Sequence, residues 1–117
     1  MSKIGCKCGH IIVDQTDALP FKASFMRDLD LFDFYGGVEN TIHRFQNLDL
    51  RDEENRTRLI DHIISCFIHY SNDLYECTQC GRVLVQQKQN YFQSFTPDSK
   101  TYNALLSIKT APVSENE

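Results

Sequence analysis

The sequence predicts an α+β fold in which two cysteine-bearing β-hairpins pack against two central helices, and three observations carry that expectation. Cys6-Lys7-Cys8-Gly9 and Cys77-Thr78-Gln79-Cys80-Gly81 share one grammar: a short cysteine pair, a glycine, then a β-forming run, Ile11-Ile12-Val13 or Val83-Leu84-Val85. Between them, residues 52–70 carry a sustained helical period. Residues 31–45 carry a second one, through Leu31, Phe34, Tyr35, Val38, Ile42 and Phe45. At 117 residues the chain is expected to be a single domain over 1–109, with a flexible tail at 110–117.

Residues 3–16 read as two short strands around the first cysteine turn. Residues 17–30 show no sustained period, and Pro20 biases Leu19 towards an extended backbone, so a loop crossing the domain is expected there. In the first helix Gly36-Gly37 predicts a kink or a late start, since each interior glycine costs about 1 kcal/mol relative to alanine. The second helix opens on Asp52, Glu53 and Glu54, whose charges favour the positive end of the helix dipole. Its wheel places Leu59, Ile60, Ile63, Ile64, Phe67, Ile68 and Tyr70 on one half, expected to face the core. Arg58, Asp61, His62, Ser65 and His69 are expected to meet water. Leu74-Tyr75-Glu76 then enters the second cysteine hairpin, Tyr91–Phe95 is one more strand candidate, and Tyr102–Ile108 a short terminal helix.

Hydrophobic residues make up 41% and charged residues 24%, the balance of an ordinary globular chain rather than a disordered one. No run approaches the roughly 20 apolar residues that span a bilayer. The N-terminus has no apolar stretch behind Lys3, so no secretory signal is read and a cytoplasmic location without membrane attachment is expected. In that reducing compartment five cysteines are metal ligands or buried thiols rather than disulfides, and the odd number fits four ligands and one spare. Net charge is −4, a poor match to a nucleic-acid binder, whose affinity rests on lysine and arginine at phosphates.

Structural Zn²⁺ takes four ligands tetrahedrally, and short cysteine pairs on tight turns supply two each. We therefore assign Cys6, Cys8, Cys77 and Cys80 as ligands of one Zn²⁺, joining two turns about 70 residues apart. The Cys6-x-Cys8 spacing lacks the usual second spacer residue and implies a tighter bite. The competing reading is a thioredoxin-type redox turn at Cys77–Cys80, which needs a following helix to lower the nucleophile's pKa, whereas β-formers follow here. His10 is an alternative ligand to Cys6, and His62, Cys66 and His69 share a helix face, but solvated histidines beside a core cysteine explain the latter more simply. Four thiolates leave no open coordination position, and no nucleophile-base pattern or phosphate-cradling loop occurs, so the chain is expected not to be an enzyme.

The 27–39 segment concentrates the negative charge: Asp28, Asp30, Asp33 and Glu39 stand against Arg27 alone, with Phe25, Phe32, Phe34 and Tyr35 interleaved. A solvated loop and helix start account for that composition. Acidic rims with aromatic anchors are also the make-up of a docking surface for a basic protein.

Cys6-x-Cys8-Gly9, Asp14-Gln15-Thr16-Asp17-x-Leu19-Pro20-x-Lys22-Ala23, Tyr75-Glu76-Cys77-x-x-Cys80-Gly81-Arg82 and Phe95-x-Pro97 together resemble a group of small bacterial zinc-ribbon-like proteins, some associated with immunity to polymorphic or contact-dependent inhibition toxins. The resemblance covers nearly the whole chain and implies the same four cysteine ligands. Taken with the acidic surface, the expectation is a zinc-stabilised protein-binding module, an immunity protein that neutralises a nuclease-like toxin. The rival reading is a zinc-ribbon accessory of transcription or translation, which would need a basic face that this sequence lacks.

Overall fold

The computed structural model describes residues 2–107 and is α+β, with two helices and two antiparallel sheets. Strands β1 (Ser2–Gly5) and β2 (Ile11–Asp14) form a hairpin in the register Ser2↔Asp14 to Gly5↔Ile11. Strands β3 (Lys22–Met26), β4 (Ser71–Glu76), β5 (Val83–Lys88) and β6 (Tyr91–Phe95) form a sheet in the order β3-β4-β5-β6. Helices α1 (Leu31–Phe45) and α2 (Glu53–Tyr70) lie between β3 and β4 in sequence. No helix among the described residues is long and apolar enough to cross a membrane.

The chain divides into two compact units, one from its two ends and one from its middle, Ser24–Asn72. In the terminal unit the core is Cys6, Ile12, Tyr75, Cys77 and Leu84, with Ile4, Phe21, Cys80 and Phe92 packed around it. Ile12 of β2 and Leu84 of β5 are each the one buried residue of their strand, flanked by less buried neighbours as strand alternation requires, while β4 buries both Tyr75 and Glu76 where it meets the second cysteine turn. Tyr75 sits opposite Leu84 in the β4–β5 ladder and meets Phe92 edge-on, with ring centroids 5.7 Å apart. The Tyr75 hydroxyl and Lys22 Nζ both donate to Asp14 Oδ2, at 2.5 and 2.6 Å. This ties β2 to β3 and β4 independently of any metal.

The middle unit is an antiparallel helical hairpin. Asp52 caps α2, its carboxylate accepting from the Glu54 N–H at 3.0 Å. The connecting loop is fixed by α2's first turns, where Asn55 Nδ2 donates to the Asp49 carbonyl and Arg56 to those of Leu50 and Arg51. Phe34 meets Phe67 edge-on, and Phe45 meets the His62 ring at a centroid distance of 5.1 Å.

Four expectations change. The segment expected to be a loop over 17–30 contains β3 and a 3₁₀ turn at Asp28–Asp30. Lys22, Ala23 and Ser24 are weak strand formers, so pairing with β4 rather than propensity makes that strand. Helix α1 runs unbroken through Gly36 and Gly37 because a Cβ at 37 would overlap Cys66 Sγ: the glycine lets the two helices approach. The inward stripe of α2 is rotated from the one expected, with Leu59, His62, Ile63, Cys66 and Tyr70 partly buried and Ile60, Ile64, Phe67 and Ile68 exposed. The wheel centred on the greasiest half, whereas packing against α1 selects the half that holds His62 and Cys66 opposite Phe45 and Gly37. Finally, of the terminal helix expected over 102–108 the described residues show a 3₁₀ turn at Leu105–Ser107, and residue 108 lies outside them. The tail expected at 110–117 lies outside the described residues.

Candidate metal centre

The two cysteine turns are the same device with a one-residue difference. In the first, the Cys6 N–H donates to the His10 carbonyl and the Gly9 N–H returns to the Cys6 carbonyl, both at 2.9 Å. In the second, the Cys77 N–H donates to the Arg82 carbonyl and the Gly81 N–H to the Cys77 carbonyl, both at 2.8 Å. Both glycines take the left-handed backbone, φ 96° at Gly9 and 81° at Gly81, which closes each turn and turns its thiols inward. Gly81 is also required sterically, since a Cβ there would overlap the backbone of Thr101 and Tyr102. The single-residue spacer of Cys6-x-Cys8 shortens the closing loop by one residue and still aims both sulfurs at the second pair.

The four sulfurs lie within 4.8 Å of one another. Cys6 Sγ is 3.6 Å from Cys80 Sγ, and Cys8 Sγ is 3.6 Å from Cys77 Sγ. Metal–sulfur bonds of about 2.3 Å in a tetrahedron put sulfurs about 3.8 Å apart, so these two opposed edges fit one tetrahedral ion. Cys6 and Cys77 are buried, Cys80 is half-buried and Cys8 exposed, so an ion held by them would lie between the core and the surface. The structure thus brings together all four cysteines read from the sequence. His10 is not among them. Its Nε2 sits 3.4 Å from Thr78 Oγ1, beside the cluster. His62, Cys66 and His69 do not form a second cluster among the described residues; Cys66 Sγ instead lies 3.7 Å from the Phe34 carbonyl oxygen.

Protonation differs around the cluster. Burial pushes the Cys6 thiol up to about 12, and burial also raises Cys77. At Cys80 burial opposes ionisation, but hydrogen bonding from the Arg82 backbone and guanidinium outweighs it and brings the thiol down to about 6. Arg82 Nη1 lies 3.3 Å from Cys80 Sγ. Sequence reasoning gave Arg82 no role, although a cation two residues after a ligand cysteine is a readable signal.

The acidic segment lies in the middle unit and is less uniform than its composition implies. Asp30 is held by Arg27 through two hydrogen bonds at 2.8 and 3.1 Å, and the guanidinium keeps its carboxyl below the usual range. Asp28, Asp33 and Glu39 are exposed, with Glu39 3.9 Å from His43 Nε2. Leu29 of the 3₁₀ turn and Phe32, Tyr35 and Ile42 of α1 are exposed, at 78, 80, 54 and 54%.

Comparison with curated proteins and with solved structures yields no match. The profile of one family, described as Domain of unknown function (DUF8617), matches residues 2–103. That span runs from β1 to the segment packed against Gly81 and takes in both cysteine turns and both helices, and the chain belongs to the DUF8617 family.

Proposed function

We propose that this chain is a protein-binding module, stabilised by Zn²⁺ at Cys6, Cys8, Cys77 and Cys80, which docks a basic protein on the outer face of α1. Zinc is the ion that best suits four thiolates in a tetrahedron, and full coordination by protein gives it a structural rather than a catalytic role. A reducing compartment, the cytoplasm, keeps those thiols available to it.

One observation carries the docking role. Leu29, Phe32 and Tyr35 project at three-residue spacing with Phe32 80% exposed, and Asp28, Asp33 and Glu39 flank them. Exposed apolar side chains that adjoin one another within a polar rim mark interaction surfaces, and an aromatic stripe within an acidic rim combines anchoring contacts with electrostatic steering. Phe32 and Tyr35 hold each other edge-on at 6.3 Å, so part of the ordering cost of binding is met in the free protein. In keeping with the resemblance, the basic partner is a nuclease-like toxin, and the chain acts as its immunity protein by placing acidic groups where nucleic acid would lie.

The test begins with a photo-crosslinking residue at position 32, which identifies the partner, followed by association rates at several salt concentrations. Reversing Asp28, Asp33 and Glu39 together should slow association at least tenfold at low salt and flatten its salt dependence, while metal content stays unchanged. Equal rates for wild type and variant at every salt concentration would remove this reading.

A further inference from the structure

The helical hairpin hides few of its apolar side chains. Of residues 24–72 only Thr41 and Phe45 are buried, and α2 contains no buried residue. A helix hides its apolar stripe by packing it against another element, and α1 covers only part of the wide stripe on α2. Ile60, Ile64, Phe67 and Ile68 remain exposed on α2, as do Tyr35 and Ile42 on α1. The two sets share one side of the hairpin. At about 100° per residue, Tyr35 and Ile42 lie roughly 100° round α1 from the row of Gly37 and Thr41, and the α2 set lies roughly 130° round from Leu59 and Cys66 in the same sense. Because the helices run antiparallel, turns of the same sense bring both sets to the same side. Phe34 spans the seam, its ring centroid 6.0 Å from that of Tyr35 and 6.1 Å from that of Phe67. With Gly37 against Cys66, Tyr35 stands level with Phe67 and Ile68, and Ile42 with Ile60 and Ile64.

We propose that this face joins two copies of the chain, α1 of each lying on α2 of the other to complete an antiparallel four-helix bundle. A twofold axis running along the helices sets residues of equal height opposite one another. Tyr35 of one copy then meets Phe67 and Ile68 of the other, and Ile42 meets Ile60 and Ile64, so every facing pair is apolar. Two antiparallel hairpins stacked in this way give each helix antiparallel neighbours, the usual arrangement of a four-helix core. Val38 lies between Tyr35 and Ile42, and Glu39 and Asp61 stand at the rim rather than the centre, so a second copy brings no like charge into the middle of the contact. At their exposures the six side chains offer roughly 600 Å² per copy, so a pair buries about 1,200 Å², where specific interfaces begin, before any rim residue is counted. The inference goes beyond the docking reading above. Tyr35 borders both surfaces, but Ile60, Ile64 and Ile68 belong to this one, and Asp28 and Leu29 to the other.

The experiment is sedimentation equilibrium of the full, metal-loaded chain across a hundredfold range of concentration. Twice the chain mass is expected at the upper end, and salt should not lower it, because the facing side chains are apolar and the rim carboxylates share a sign. Ile64→Asp, at an exposed position where a charge is tolerated by the folded monomer, should weaken association at least tenfold with zinc and helix content unchanged. Charge reversal at Asp28 and Asp33 should leave the mass where it is, so this inference and the docking reading fail separately. In wild type, mixed samples of differently labelled copies should show nuclear Overhauser contacts from the Ile42 methyls of one copy to those of Ile60 and Ile64 of the other, whether or not the variant folds. A monomer at every concentration would overturn the proposal, as would a dimer whose contacts between copies avoid Ile60 and Ile64, or a folded Ile64→Asp that still pairs. In a monomer, shielding of the Ile60 and Ile64 methyls from a soluble paramagnetic agent would give the face to another part of the same chain, and their accessibility would leave it to a different protein.

Discussion

Adjacent glycines in α1 should respond to the same substitution with opposite signs. Gly36 has open space where a Cβ would stand, whereas a Cβ on Gly37 would overlap Cys66 Sγ on α2. In a helix interior alanine is favoured over glycine by about 1 kcal/mol, so Gly36→Ala should stabilise the protein by about that much. Gly37→Ala gains the same helix term but must move Cys66 or part the helices, and overpacking of this kind costs about 1–3 kcal/mol. Its net effect should be a destabilisation of up to about 2 kcal/mol, leaving the two variants about 1–3 kcal/mol apart. Cys66→Ala removes the sulfur that the new Cβ would strike. In that background Gly37→Ala should become stabilising, which makes the double-mutant cycle the deciding measurement. The assay is urea unfolding of metal-loaded protein followed by circular dichroism, with unchanged slope. If Gly37→Ala stabilises wild type as much as Gly36→Ala does, the close approach of the helices is wrong.

Two further outcomes follow from the same geometry. Freshly reduced protein should carry close to one zinc per chain, and its affinity should fall with acid. Binding strips protons from Cys6, raised to about 12, and from Cys77, also raised, so those two thiols alone set a loss of about 100-fold per pH unit on acidification. Cys80, lowered to about 6, stays ionised without metal until pH falls below that value and then steepens the loss, which a competing chromophoric chelator can follow across pH 5–8. A pH-independent affinity would exclude thiolate ligation. On α2, Ile63→Ala should cost about 2 kcal/mol, while Ile60→Ala and Ile68→Ala should stay within about 1 kcal/mol, measured by urea midpoints. The reverse order would restore the helix face expected from the sequence.

The cysteine cluster was legible because metal chemistry ties residue type to spacing: two cysteine pairs, each followed by glycine, are expected to meet at one site, and the four sulfurs do lie together. The strands after each pair and the start of α2 were legible for similarly local reasons, namely β-branched runs and the acidic opening Asp52, Glu53 and Glu54. What failed depended on partners distant in sequence. Nothing near Gly37 announces that Cys66 will lie against it, and β3 forms from poor strand residues because β4 offers it a ladder. The α2 wheel contains more apolar residues than one packing face can use, so periodicity located the helix and left its rotation undetermined. The Asp14–Lys22–Tyr75 network was invisible for the same reason, since its members are up to 61 residues apart.

The position of the cysteine cluster against the core decides what loss of a bound ion would do. Two of the five core residues of the terminal unit, Cys6 and Cys77, belong to the cluster, so an ion held there would add to the packing as well as bridge two turns. Were the site peripheral, chelation would free the turns and leave the core standing. Here chelation leaves two protonated thiols where an ion had been, while Ile12, Tyr75 and Leu84 still pack and the Tyr75 hydroxyl still bonds Asp14. Those remaining contacts still join β2 to β4, and Cys80 stays packed against them, whereas Cys8 is exposed and outside that core. Opening should therefore begin at Cys8 and reach the β2–β4 contact last, an order set by which sulfurs belong to the core.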